Sequence, residues 1–165
     1  YNMQTLIKPY LISGKVVAGF GRGSKQLGIP TANIDTDVVQ QIPLKDGVYC
    51  GFCQLIAADA DAATTTGPNQ PPVIYPMVCS LGLNPQFGTT LRSLEVHILH
   101  EFADDFYGHT LRTAICGHIR DQQKFTDLQQ LIDCIHNDIA IAKQELLSMN
   151  DQNRWSMVLN DEFFR

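Results

Sequence analysis

The sequence predicts a mainly β protein, an antiparallel barrel or sandwich followed by one long helix. Strand-like segments rich in β-branched and aromatic residues fill most of the chain. Apolar residues recur with a helical period only near the C-terminus. Because the two patterns do not alternate, a sheet built from βαβ units is excluded. At 165 residues the chain is long enough for a substantial core, and we expect a single domain over residues 1–165.

Five segments carry the strand pattern, with Gly, Pro or Asn near their ends. They are residues 10–18, 47–56, 73–81, 92–102 and 111–119. The fourth alternates most clearly, with Leu94, Val96 and Ile98 on one face and Ser93, Glu95 and His97 on the other. Since successive side chains of a strand point to opposite faces, we expect Glu95 to lie on a polar face while Val96 and Ile98 turn toward the core.

Residues 57–72 interrupt the strand pattern with a run of Ala, Asp, Thr, Gly and Pro. This composition offers too little apolar surface to pack, so it predicts a flexible loop insertion. The strand pattern resumes directly afterwards, which favours a loop over a linker between domains.

Residues 126–148 are predicted to form the C-terminal helix. Its apolar stripe consists of Leu128, Leu131, Ile132, Ile135, Ile139, Ala142 and Leu146. Thr126 and Gln129 have the spacing of a capping box at its start, and Asp138 lies off the stripe. The remaining tail contains Trp155, Phe163 and Phe164, which suggest a short docked helix.

Composition excludes several classes of partner. The net charge of −5 argues against a general nucleic-acid binder, and no apolar run approaches the roughly 20 residues that span a bilayer. The chain has five scattered cysteines and no Asn-x-Ser/Thr acceptor, which favours an intracellular, cytoplasmic location. Cys50 and Cys53 have the spacing of a redox pair or half a zinc site, but residues three apart in a strand face opposite ways, so we interpret both as buried structural residues.

Residues 14–34 form a glycine-rich, basic segment. Its glycines and cations are Gly14, Lys15, Gly19, Gly21, Arg22, Gly23, Lys25 and Gly28. Because glycine lacks a Cβ, backbone N–H groups can approach an anion closely, and Arg22 and Lys25 add positive charge at the same place. The spacing fits neither the P-loop nor the dinucleotide fingerprint. A polyphosphate ligand is the interpretation we favour, with a glycine-rich hairpin as the alternative.

Six short motifs then identify a family. In order they are Gly19-Phe-Gly-Arg-Gly-Ser-Lys25, Pro30-Thr-Ala-Asn33, Gly47-Val-Tyr49, Ser80-Leu-Gly-Leu-Asn-Pro85, Glu95-Val-His97 and Asp105-Phe-Tyr-Gly108. Their order and spacing closely resemble those of the monofunctional, eukaryotic-type riboflavin kinases (flavokinases), over residues 14–147.

The resemblance implies a six-stranded antiparallel Greek-key barrel with a C-terminal helix. It implies transfer of the γ-phosphate of ATP to the ribityl 5′-hydroxyl of riboflavin, giving FMN and ADP. It also implies a Mg²⁺ ion, with Zn²⁺ or Mn²⁺ as open alternatives, and we expect a monomer without nucleic-acid or membrane partners. The alternative function is a non-catalytic flavin- or nucleotide-binding barrel, a carrier or sensor.

The resemblance also assigns site residues. It makes Glu95 the general base and Thr31 and Asn33 the metal ligands. The residues it assigns to ATP are Gly19, Gly21, Arg22, Gly23, Lys25, Thr31, Asn33, Ile98, His100 and Tyr107. It assigns Arg120 and Gln123 to the flavin, although residues 121–124 depart from the Pro-Glu that is common there.

Overall fold

Six strands and a C-terminal helix make up the fold in the computed structural model, which describes residues 3–17, 30–57, 73–83, 90–102, 106–148 and 153–165. The strands of the described residues are β1 (Gln4–Val17), β2 (Ala32–Ile34), β3 (Gly47–Ile56), β4 (Tyr75–Leu83), β5 (Arg92–Ile98) and β6 (Thr110–Arg120). The helices are α1 (Thr36–Val39), α2 (Leu128–Leu146) and α3 (Ser156–Leu159), and a short helical turn covers Glu162–Phe164.

The strands form a closed barrel in the order β1-β2-β5-β4-β3-β6, and every pairing, including that of β6 with β1, is antiparallel. The β6-β3-β4-β5 part of this order is a Greek key. The Greek-key barrel with a C-terminal helix is therefore confirmed, and the sandwich alternative is wrong. β2 has the fewest paired positions of the six strands, two with β1 and two with β5.

Predicted and observed elements agree best where the pattern is long. β3 coincides with the predicted segment 47–56, and α2 lies within 126–148. The capping box was wrong: Asp127 is the N-cap, and its side chain accepts from the Gln130 N–H. The segments Ala32–Ile34 and Thr36–Val39 carry no periodic signal because they are only three and four residues long.

Two apolar clusters stabilise the fold, one inside the barrel and one outside it. The inner cluster includes Leu81, Leu94, Val96, Ile98, Leu111 and Ile115. The outer cluster joins the outward side chains of β3 and β6 to α2 and the tail, through Val48, Phe52, Ala114, Cys116, Ala142, Leu146, Trp155, Val158 and Phe164. We call this outer surface the covered face. It confirms that the tail docks on the barrel.

Cys50 and Cys53 are buried, as predicted. Cys50 belongs to the outer cluster and Cys53 to the inner one, so the predicted opposite orientation is confirmed. Burial raises the pKa of the Cys50 thiol to about 12, and all five cysteines are free.

Of the proposed loop insertion only residue 57 is described, so residues 58–72 lie outside the described part of the chain. Among the described residues there is no helix with the length and hydropathy that a membrane span requires.

Candidate functional site

Three polar side chains form a row on the outside of the barrel. Glu95 of β5 lies directly opposite Asn33 of β2 on one side and Ser80 of β4 on the other. Paired residues of an antiparallel ladder point to the same face, with Cβ atoms about 4.5–5.5 Å apart. The neighbours of Glu95 in sequence, Leu94 and Val96, are fully buried inside the barrel. The predicted alternation is confirmed, and Glu95 lies between an amide and a hydroxyl.

The environment of Glu95 makes its carboxylate a stronger base. The residue is half-buried, and this burial raises the pKa of the Glu95 carboxyl above its ordinary value. A higher pKa increases the ability of the carboxylate to accept a proton from an alcohol.

Asn33 carries an unsatisfied acceptor. Its Oδ1 is buried and meets no hydrogen-bond partner within the described ranges. Leaving a buried acceptor unpaired costs about 1–3 kcal/mol, so this oxygen is a candidate for coordinating a ligand. Thr31, partly buried, precedes Asn33 by two residues, the spacing that returns to the same face of an extended chain.

His97 forms a hydrogen bond with the segment that precedes β2. Its Nδ1 lies 2.8 Å from the Pro30 carbonyl oxygen. Because a carbonyl only accepts, Nδ1 carries the hydrogen and donates it. Burial lowers the pKa of His97, which favours the neutral ring. The sequence marked His97 as sharing the face of Glu95, but no local signal could reveal this contact. We call Asn33, Ser80, Glu95 and His97 the polar face.

Gln122 connects the β6–α2 loop to the same row. Its Nε2 donates to the Ser80 Oγ and to the Leu81 carbonyl oxygen, both at 2.9 Å. A Cβ on Gly82 would lie only 3.0 Å from this Nε2, so the glycine permits the close approach. Sequence reasoning missed Gln122 because it lies where the chain departs from the family pattern.

Arg120 is engaged by helix α2. Its Nε donates to Asp138 Oδ1 at 2.9 Å and its Nη2 to Oδ2 at 2.8 Å, and the guanidinium lies 5.8 Å from the ring centre of Phe125. Asp138 is only 2% exposed, although it lies off the apolar stripe of α2. Burial raises the pKa of the Asp138 carboxyl, and Arg120 acts in the opposite direction. Arg120 thereby anchors the start of the β6–α2 loop.

The other predicted residues are scattered around one end of the barrel. Ile98 is 5% exposed, and its side chain belongs to the inner cluster. The exposed His100 ring lies 4.6 Å from that of Tyr75, and Tyr107 is 55% exposed. Tyr107 precedes Gly108, whose φ of 80° suits glycine and whose N–H donates to the Val16 carbonyl.

The remaining predicted residues are Gln123 and those of the glycine-rich segment. Gln123 is exposed and accepts a weak hydrogen bond from the Cys134 thiol at 3.7 Å. The phosphate-binding residues assigned to the glycine-rich segment lie outside the described residues: Gly19, Gly21, Arg22, Gly23 and Lys25.

A family model, curated relatives and a solved structure match the chain to riboflavin kinases. Residues 6–146 match the sequence model of the Flavokinase family, described as riboflavin kinase. Riboflavin kinase of Homo sapiens is 42% identical over 140 residues, covering 84% of this chain and 81% of that protein. Riboflavin kinase of Pyricularia oryzae is 40% identical over 151 residues, covering 89% and 74%. The crystal structure of riboflavin kinase from Trypanosoma brucei superposes with a TM-score of 0.61 at 29% identity, covering 87% of this chain and 83% of that one.

Proposed function

The chain belongs to the riboflavin kinase family and phosphorylates riboflavin with ATP to give FMN. From this premise we propose which role each of its residues has in the reaction. The observation that carries the proposal is the position of Glu95, half-buried and directly between Asn33 and Ser80.

Glu95 acts as the general base. Its carboxylate accepts the proton of the ribityl 5′-hydroxyl while that oxygen forms a bond to the γ-phosphorus. The bond between the γ-phosphorus and the oxygen bridging to the β-phosphate breaks, and ADP leaves. The raised pKa of the Glu95 carboxyl supports this role, because a primary alcohol needs a base of some strength.

Thr31 and Asn33 hold the divalent cation, which when bound neutralises charge on the phosphates. The unpaired Oδ1 of Asn33 supports this role, since a cation would give it the partner it lacks among the described residues. A hydroxyl and an amide oxygen are hard, neutral donors. They favour Mg²⁺ or Mn²⁺ over Zn²⁺, which binds nitrogen and sulfur readily. We propose Mg²⁺ as the ion used.

We assign the two substrates to different segments of the chain around this row. The segment 19–25 holds the ATP phosphates, and the adenine lies by the backbone of Ile98 with His100 and Tyr107 nearby; the exposure of the two rings leaves room for this. Riboflavin lies against residues 121–127, where Gln123 is exposed. Arg120, held by Asp138, contributes from the start of that loop.

Glu95→Gln tests the proposal directly. We expect the variant to fold and to bind nucleotide, with kcat lowered by roughly 10²–10⁴-fold because the amide cannot accept the proton. ADP release in the presence of riboflavin is the measurement. Glu162→Gln, at an exposed position of the C-terminal turn, is the matched control and should turn over normally. Normal turnover by Glu95→Gln would rule out the base, and flavin binding without ADP release by the unaltered chain would indicate a carrier.

A further inference from the structure

The segment that holds the proposed metal ligands is attached to the barrel by few backbone contacts. β2 has three residues, and its register with β5 consists of Ala32 opposite Val96 and Asn33 opposite Glu95. Asn33 is thus positioned by the ladder itself. Thr31 comes before the first paired residue, so the ladder alone does not determine where its side chain lies.

His97 supplies a contact at this point. It follows Glu95 by two residues on β5 and so shares its face. The hydrogen bond from its Nδ1 reaches the Pro30 carbonyl at 2.8 Å, across 67 positions of sequence. That carbonyl belongs to the peptide group that continues directly into Thr31. Because the ring of Pro30 restricts its own φ, holding this carbonyl fixes the peptide plane that follows and with it the position of the Thr31 Cα.

We propose that His97 is a positioning residue for the metal site, and that its hydrogen bond to Pro30 sets the distance between the oxygen atoms of Thr31 and Asn33. The inference rests on the proposed metal role of these two residues. β5 then organises both parts of the chemistry: Glu95 provides the base and aligns Asn33, and His97 aligns Thr31. Mg²⁺ demands near-ideal octahedral geometry, so a small displacement of one ligand weakens its binding.

Two amide variants separate this role from simple packing. The side-chain nitrogen of Asn occupies nearly the position of the imidazole Nδ1, whereas that of Gln corresponds to Nε2. His97→Asn therefore keeps a donor aimed at Pro30, and His97→Gln does not. His97→Ala is a second variant without a donor, in case the longer Gln side chain impairs folding.

The measurement is the dependence on Mg²⁺. For His97→Gln we expect the half-saturating Mg²⁺ concentration at fixed ATP to rise by roughly 10–100-fold, the range typical of residues that support metal ligands. The KM for riboflavin should not change, and His97→Asn should stay close to the unaltered protein. Calorimetric titration with ADP, with and without Mg²⁺, gives a readout independent of turnover: His97→Gln should lose only the increment in affinity that Mg²⁺ provides.

The outcomes distinguish this inference from the proposed function. Equal behaviour of His97→Asn and His97→Gln, or a normal Mg²⁺ dependence in a folded variant without the donor, overturns the positioning role. If Thr31→Ala impairs Mg²⁺ use while His97→Gln and His97→Ala do not, only the positioning role fails. If Thr31→Ala also leaves the Mg²⁺ dependence unchanged, the metal assignment itself fails.

Discussion

The outside of the barrel has two faces with opposite properties, although the same strand alternation produces both. On the covered face, outward side chains of β3 and β6 are apolar and pack beneath α2 and the tail. On the polar face, outward side chains of β2, β4 and β5 are an amide, a hydroxyl, a carboxyl and an imidazole. The faces meet on adjacent strands, where Ser80 lies opposite Val48.

The difference shows that the covered face contributes to the stability of the fold, whereas the polar face carries its chemically reactive groups. Apolar area removed from water on the covered face stabilises the chain by roughly 25 cal/mol per Å². The polar face instead retains a buried oxygen of Asn33 that has no partner among the described residues, and a carboxyl whose pKa burial has raised. Substitutions on the two faces should therefore affect different measurements.

The largest effect on stability is expected on the covered face. Phe164 is fully buried there, so Phe164→Ala should lower the free energy of unfolding by about 3–5 kcal/mol through lost burial and a cavity. Chemical denaturation measures this change. At a temperature where the variant is still folded, its kcat and both KM values should match those of the unaltered protein.

Met157 provides the matched control, since it lies beside the same docked segment but is 86% exposed. Met157→Ala should leave both stability and turnover unchanged. A loss of kcat in folded Phe164→Ala would show that the covered face also shapes the chemistry, and would break the distinction between the faces.

How much the sequence could predict depends on whether a feature is local. The period-2 pattern around Glu95 identified both its strand and its face, because side-chain parity needs no knowledge of the neighbouring strands. The apolar stripe located α2 for the same reason. β2 is too short to show a period, and its pairing with β5 depends on the closure of the whole barrel.

The contacts that build the site are all distant in sequence. His97 meets Pro30 across 67 positions, and Gln122 meets Ser80 across 42. Such contacts follow from strand register and loop geometry, for which a single sequence carries no signal. Asp138 is the clearest case: the apolar stripe of α2 does not include it, and the guanidinium of Arg120 on β6 explains why it is buried.

A smaller effect of opposite sign is expected on the polar face. Asn33→Val removes the unpaired Oδ1 and introduces a residue that favours strands, so stability should rise by on the order of 1 kcal/mol. Turnover with Mg·ATP should fall at the same time, because the proposed ligand is lost. Denaturation and the Mg²⁺ dependence of ADP release measure the two changes.

Asn137→Ala, on the exposed side of α2, is the control and should change neither quantity. If Asn33→Val instead destabilised the chain as much as Phe164→Ala, the Oδ1 would have to be paired within the protein, and the case for a metal there would lose its main support.

The smallest effect is expected at the boundary of the two faces. Gln122→Ala removes two hydrogen bonds that hold the β6–α2 loop beside Ser80. For an exposed side chain such as Gln122, one such bond contributes about 0.5 kcal/mol, the low end of the usual range, so the two together contribute about 1 kcal/mol; 1.4 kcal/mol corresponds to a tenfold change in an equilibrium constant. Because the loop is proposed to contact riboflavin, the KM for riboflavin should rise several-fold, while the KM for Mg·ATP stays constant.

Gln144→Ala, exposed on α2, should leave both constants unchanged. A rise in the KM for Mg·ATP instead would mean that Gln122 acts through Ser80 on the row of Glu95 and Asn33, so that the loop and the metal side of the site are coupled rather than separate.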